Sequence, residues 1–152
     1  MSNIAPLTES EVRKLAIDWY QKITDKVSSD EYRLLVDEKN LKMEFPDESP
    51  VFGFDGFKSW YQGATETFFD QVHTLKELKL KPLDAKEDEQ AEVKVIVHWE
   101  ASMWQPPEPK SKRIILDANQ TWIVKRAQTN QKPIILTYVV ESFNYAEDSA
   151  RL

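Results

Sequence analysis

Cysteine is absent from this 152-residue chain. Its absence excludes disulfide staples, thiol catalysis and thiolate-held metals, and it fits a reducing compartment. Glycine is nearly absent too, with three residues. Gly53 and Gly56 do not form the glycine-rich turn that cradles phosphate, and no Gly-x-Ser-x-Gly nucleophile elbow is present, so no cofactor is implied. Basic residues are in the minority: Lys plus Arg minus Asp plus Glu is 20 − 26 = −6. An acidic surface attracts neither nucleic acid nor an anionic membrane. No apolar run is long enough to span a bilayer. The N-terminal MSNIAPLTESE lacks the basic-then-apolar pattern of a signal peptide, so the expected location is cytoplasmic. The two histidines, His73 and His98, fall on opposite strand parities, and with no cysteine to help them no metal site is expected.

What is present suits a soluble globular protein: 41% hydrophobic and 30% charged residues. The length fits a single domain over residues 1–152. After a loose tail over 1–6, Thr8-Glu9-Ser10-Glu11 reads as a capping box, with Leu7 stapling to Val12. Val12, Leu15, Ala16, Trp19, Tyr20 and Ile23 follow at helical spacing to about Thr24. Ser28-Ser29-Asp30-Glu31 repeats the capping signature and opens a short second helix that ends near Asp37. Leu41, Met43 and Phe45 alternate as a strand that Pro46 stops, and Val51 to Phe54 makes a second small strand. Asp55 is placed as the cap of a third helix carrying Phe57, Trp60, Tyr61, Ala64 and Phe68 on one face. Gly63 in that helix is read as marking a close packing contact.

From Val72 the period changes to two. One strand runs to about Leu83, a charged turn covers Asp84 to Gln90, and the longest alternating stretch spans Ala91 to Arg126. In it Val93, Val95, Val97, Trp99, Ala101 and Met103 share one parity and face a core. Lys94, His98, Glu100 and Ser102 share the other, with Ile96 and Trp104 as apolar exceptions. After a proline-rich bridge, Ala118, Gln120, Trp122 and Val124 make a second inward row. A last strand covers Ile134 to Tyr145. Three helices and a meandering sheet with one face to cover make an α+β domain.

This order resembles the nuclear transport factor 2-like superfamily, in its SnoaL-like branch. The resemblance rests on Trp19-Tyr20 in the first helix, Met43-Glu44-Phe45-Pro46, and Phe54-Asp55-Gly56-Phe57. It extends through Phe68, His73-Thr74-Leu75, Val95-Ile96-Val97 and Thr121-Trp122-Ile123-Val124. It implies a cone-shaped, strongly curved sheet, antiparallel or mixed, wrapped around three helices with a pocket in its mouth. It also implies a hydrophobic small molecule as partner and isomerase, cyclase or hydrolase chemistry as the range of activities. Ketosteroid isomerase activity is not expected. The family's aspartate base before the proline is replaced by Phe45, which accepts no proton, and the place of its second acid falls near Gln120, which cannot titrate.

The candidate catalytic residues are Tyr20, His73 and Glu141. Tyr20 is either a pocket donor or a core tyrosine with its hydroxyl at the rim. His73 either faces the pocket as an acid–base group or is a satisfied histidine at a helix–strand junction. Glu141 shares parity with Val139 and Phe143. That makes it an inward carboxylate unless the register slips near the strand end; Asp117 is the next candidate. Trp19, Trp60, Trp99, Met103, Gln120 and Trp122 are the expected pocket lining. His98 and Trp104 are read as outward, at a homodimer interface. The alternative function is a non-catalytic dimerisation or adaptor domain whose cone is filled by its own tryptophans.

Overall fold

A computed structural model describes residues 5–83 and 89–152, so most of the expected turn after Leu83 lies outside the described residues. Helix α1 spans Glu9–Asp25. Its capping box forms as the sequence indicates: the Glu11 amide donates to Thr8 Oγ1 at 3.2 Å, and the Thr8 amide donates to the Glu11 carboxylate at 3.3 Å. The helix stops where Lys26 takes a left-handed conformation, φ 52°. The second capping signature does not form. Ser28 makes no side-chain cap, and the segment Ser29–Leu35 is a 3-10 helix rather than an α-helix. Seven residues are too few for a stable α-helix without a cap, and Val36 is already drawn into an extended bridge with Ile135.

Strands β1 (Lys42–Glu44) and β2 (Val51–Phe52) are shorter than the alternation suggests, and helix α2 begins at Gly53, two residues before Asp55. Gly53 explains the difference. Its φ of +67° is open to glycine and costly for other residues, and its amide donates to Leu41 O while the Phe54 amide donates to Glu38 O. The chain therefore turns from strand into helix at Gly53, and Asp55 sits in the first turn, where its charge favours the helix N-terminus. Helix α2 ends at Thr67.

Four long strands follow: β3 (Phe68–Leu83), β4 (Gln90–Met103), β5 (Lys112–Arg126) and β6 (Pro133–Tyr145). The sheet runs β2-β1-β6-β5-β4-β3, with β1 parallel to β6 and every other pair antiparallel. It is a curved, open sheet that wraps the helices in a cone. Bulges set its facing. In β3 the register shifts between Phe69 and Val72 and again between Leu75 and Glu77; in β6 it shifts opposite Asn119/Gln120 and opposite Ile123/Val124. Each bulge adds a residue to one strand and resets which parity faces inward.

The interior is aromatic. Trp19 of α1 is fully buried, with its ring 5.3 Å from Tyr32, 5.7 Å from Phe57 and 5.4 Å from Tyr138. Trp122, also fully buried, meets Trp19 at 6.4 Å and Tyr138 at 5.3 Å. Such ring pairs add about 0.5–1.5 kcal/mol each beyond the area they bury. At the end of β5 the buried Arg126 holds the N-terminal segment against the β5–β6 turn. It donates to the carbonyls of Ala5, Pro6 and Gln131 and, through two nitrogens, to the Glu11 carboxylate. The guanidinium holds Glu11 well below the usual carboxylate range, at about 2. No helix among the described residues is long and apolar enough to cross a membrane.

Candidate functional site

The cone is not filled. A cavity of about 740 Å³ remains between α1, α2 and the concave face of the sheet, within the range of small-molecule sites. The β1 end and α2 supply Phe45 and Trp60, stacked at 5.1 Å and 18°. Strands β3 and β4 supply Phe68 and Trp99, whose rings meet edge to face at 5.0 Å. Strand β6 supplies Tyr138, Val140, Phe143 and Tyr145, and Leu152 closes in from the C-terminal segment. Gly63 lines the same space. A Cβ added there would meet nothing within 4 Å, so it borders the void rather than marking a close packing contact.

The polar points of the cavity converge on Gln120, whose side chain is held by β5 on the concave face. Tyr20 of α1 donates its hydroxyl to Gln120 Oε1 at 2.8 Å, and Trp122 Nε1 donates to the same oxygen at 2.8 Å. An indole N–H can only donate, so this pair of bonds fixes the amide with its oxygen toward Tyr20 and Trp122. Gln120 is only 4% exposed, and its side chain also interacts with the Tyr138 hydroxyl. The Tyr138 hydroxyl sits beside Tyr20, Gln120 and Trp19; burial pushes it up to about 12. Burial, with Tyr138 alongside, likewise raises Tyr20 well above an ordinary phenol.

His73 completes the wall. The bulge at Asp70 and Gln71, where Asp70 takes φ 49°, turns His73 to the concave face. Its ring stacks on Tyr20 at 5.3 Å and 19°, and its Nδ1 lies 2.9 Å from Thr24 Oγ1. The partner is a hydroxyl, not a carboxylate, so nothing offsets burial, which lowers His73 to about 4. Gln71 accepts from Trp99 Nε1 at 3.1 Å and fixes that ring. All three titratable groups in this wall are therefore uncharged near neutrality.

The structure brings Tyr20, His73, Trp60, Trp99 and Gln120 together, and separates the rest of the expected set. Trp19 and Trp122 are core, not lining; Met103 packs against the core beside the cavity. Glu141 is corrected outright. It lies in the β6 bulge, exposed on the outer face, where it accepts from Thr121 Oγ1 and lies 3.7 Å from Lys94 Nζ. The extra residue at the bulge moves Val140 and Tyr138 inward and leaves Glu141 outside, the slip that the sequence left open. Asp117 is also outside. With Glu100 it brackets His98, at 2.8 Å to Nδ1 and 2.9 Å to Nε2. Sequence reasoning missed Tyr138 because Leu136, Tyr138 and Val140 compete with Ile135, Thr137, Val139 and Glu141 for the inward parity. Its pairing with Trp122 across β5 and β6 is the signal that only the register reveals.

No protein-family model and no curated protein matches the chain. Solved structures do. A cystatin-like protein of unknown function from Nostoc punctiforme superposes with a TM-score of 0.67 at 11% identity, covering 95% of this chain and 98% of that one. The fold is cystatin-like. A ketosteroid isomerase-like protein from Erwinia carotovora atroseptica matches this fold with a TM-score of 0.63 at 14% identity, over 88% and 95% of the two chains. A hexachlorocyclohexane dehydrochlorinase from Novosphingobium barchaimii matches with 0.71 at 10%, over 94% and 92%. At these identities the likeness speaks for the fold.

Proposed function

We propose that the cone is a binding site for an apolar small molecule whose buried part is uncharged. The observation that supports this most is the convergence of Tyr20, Gln120, Tyr138 and His73 on one wall of a cavity whose lining is mostly aromatic and aliphatic. In this reading the Gln120 amide nitrogen and the Tyr138 hydroxyl donate to an oxygen of the ligand, while Trp60, Trp99 and Phe45 hold its rings. A charged group placed here would lose its water with no counter-ion to meet it.

For catalysis, His73 is the proton acceptor and the donors at Gln120 and Tyr138 stabilise charge developing on oxygen. A histidine with a conjugate acid near 4 is a weak base, so binding is the primary activity in this proposal and proton transfer the secondary one. A cytoplasmic location and the absence of a nucleic-acid partner belong to the same reading. So does a homodimer through the outer sheet face, where Ile96, Ile115 and Ile123 lie half-buried among charges and Trp104 is 52% exposed. Light scattering should give about twice the 17.8 kDa chain mass; a clean monomer removes the dimer.

The test of the pocket is a titration with a neutral aromatic ketone such as acetylnaphthalene, followed by tryptophan fluorescence and thermal denaturation. Saturable quenching is expected, with stabilisation of about 2.7 kcal/mol at a hundredfold excess over Kd. Gln120→Leu should weaken binding while leaving an apolar probe without oxygen unaffected. No saturable binding by the ketone or by naphthalene overturns the reading.

A further inference from the structure

A second amide lines the cavity, on its β3 wall. Gln71 is 9% exposed, and it is fixed from both faces of the sheet. On the convex side Arg113 of β5 donates through Nη1 to Asp70 O at 2.7 Å and to Ser102 Oγ of β4 at 3.0 Å, which ties down the β3 bulge that carries Gln71. On the concave side Trp99 Nε1 donates to Gln71 Oε1 at 3.1 Å. An indole N–H can only donate, so the amide oxygen is the atom turned to Trp99 and the amide nitrogen is turned away from it. That nitrogen meets no acceptor among the described residues. An amide donor left unpaired inside a protein is costly, and such a group in a cavity wall marks a place where a ligand supplies the acceptor.

We infer that Gln71 is a specificity-determining residue of this cavity: its amide nitrogen donates to a second neutral oxygen of the ligand, at the end of the cavity where Phe68 and Trp99 meet. The inference rests on the pocket reading above and adds that the ligand is elongated, with one acceptor at each end of an apolar body. The register sets the two ends apart. Phe69 and Val72, which flank the bulge at Gln71, pair with Ser102 and Glu100 of β4, whereas Gln120 of β5 pairs with Val95, further along β4. One oxygen cannot serve both amides. The acceptor at Gln71 is neutral because its titratable neighbour His73 is uncharged near pH 7, so a carboxylate would lose its hydration for a single amide hydrogen bond.

The experiment compares three biphenyls by tryptophan fluorescence titration: one with an acetyl group at each end, one with acetyl at one end and ethyl at the other, and one with two ethyl groups. The single-acetyl probe can place its oxygen at either amide but not at both, so the affinity ratio of the first two reads the second hydrogen bond. The doubly acetylated probe should bind about fivefold more tightly, the worth of one ordinary hydrogen bond. Gln71→Met keeps the length and loses the donor, and should bring the ratio near one. Gln71→Glu keeps an acceptor for Trp99 and loses the donor, and should do the same. In the unmodified protein the Gln71 side-chain amide protons should move further downfield in NMR spectra with the doubly acetylated probe than with the diethyl one, a readout that needs no variant to fold. A ratio near one in the unmodified protein overturns the inference, as does a ratio that survives Gln71→Met or equal shifts with the two probes. If the single-acetyl probe binds while the ratio is near one, the pocket reading stands and this one falls; if none of the three binds, both fall.

Discussion

His73 and His98 lie on adjacent strands of one sheet, one step out of register: His73 pairs with Trp99 and Thr74 pairs with His98. That one step puts them on opposite faces, and the faces treat the same side chain in opposite ways. On the concave side His73 has only Thr24 and aromatic rings for company, and burial lowers it to about 4. On the convex side His98 is held between Glu100 and Asp117, which raise it, with Arg113 and Lys76 balancing the two carboxylates. Both its ring nitrogens face carboxylate oxygens, which favours the protonated ring. Strand parity thus decides whether a titratable group becomes a neutral wall of a cavity or a charged node on a surface.

The largest break in that comparison lies within the inner face itself. Trp122 is fully buried among Trp19, Tyr20 and Tyr138, whereas Trp99 has open cavity beside it. Trp122→Ala should cost about 3–5 kcal/mol in chemical denaturation, with loss of the donor that orients Gln120. Trp99→Ala should cost clearly less and should weaken ligand binding more. Equal costs would mean that the cavity collapses in solution.

The second break uses pH. The folded His73 lies below its unfolded value of 6.5, so the unfolded chain binds the extra proton first. Stability from this group is complete above pH 6.5 and is lost as pH falls toward about 4, by about 3 kcal/mol at most. Glu11 acts in a separate window: its stabilising pair with Arg126 is complete above pH 4.5 and is lost as pH falls through about 2. Urea denaturation of His73→Phe between pH 7 and 2 should remove the first slope and keep the second. If the wild-type curve is flat between pH 6.5 and 4.5, His73 is not buried as described.

Much of the architecture was legible because periodicity reports burial. The stripe from Val12 to Ile23, the row from Val93 to Val97 and the row from Ala118 to Val124 all face inward as their spacing indicates. The errors cluster where the period breaks. The glycine at 53 moved the start of α2, and four bulges in β3 and β6 reversed local parity. A bulge leaves no compositional mark when both parities of a strand are apolar, as in Ile134-Ile135-Leu136. Of the site, Tyr20, Trp60, Trp99 and Gln120 could be read because each sits on an element with a clean period, whereas His73, beside a bulge in β3, was reached through the family resemblance. Tyr138 and Glu141 could not, because each depends on a bulge beside it.

On the convex face the effects are smaller and the sign is reversed. His98 is raised, so the stability it contributes is complete below pH 6.5 and is lost as pH rises through its folded pKa. Its side chain is 29% exposed and those of its partners 28–32%, so solvent screens the cluster and the contribution should stay near or below about 1 kcal/mol. An NMR titration of the two imidazole rings gives the contrast directly. The His98 ring should titrate above 6.5 and the His73 ring should stay neutral down to about pH 5. A reversal of that order would exchange the two environments.

The smallest expected effect is at Glu141, and it tests which side of the bulge that residue occupies. Exposed and paired with Thr121 and Lys94, it is solvated in the folded chain as in the unfolded one. Glu141→Gln keeps the shape and the acceptor for Thr121 while removing the charge. Stability should change by less than about 0.5 kcal/mol, in line with substitutions on a solvated surface. Affinity for a neutral aromatic ligand should not change at all, since no wall of the cavity is altered. An inward Glu141 would behave differently: a carboxylate desolvated against Phe143 would be costly when charged, and Glu141→Gln would stabilise the protein above pH 7 and alter ligand binding. Measuring both quantities on one variant therefore decides whether the β6 bulge holds in solution, and with it the assignment of Tyr138 and Val140 to the cavity.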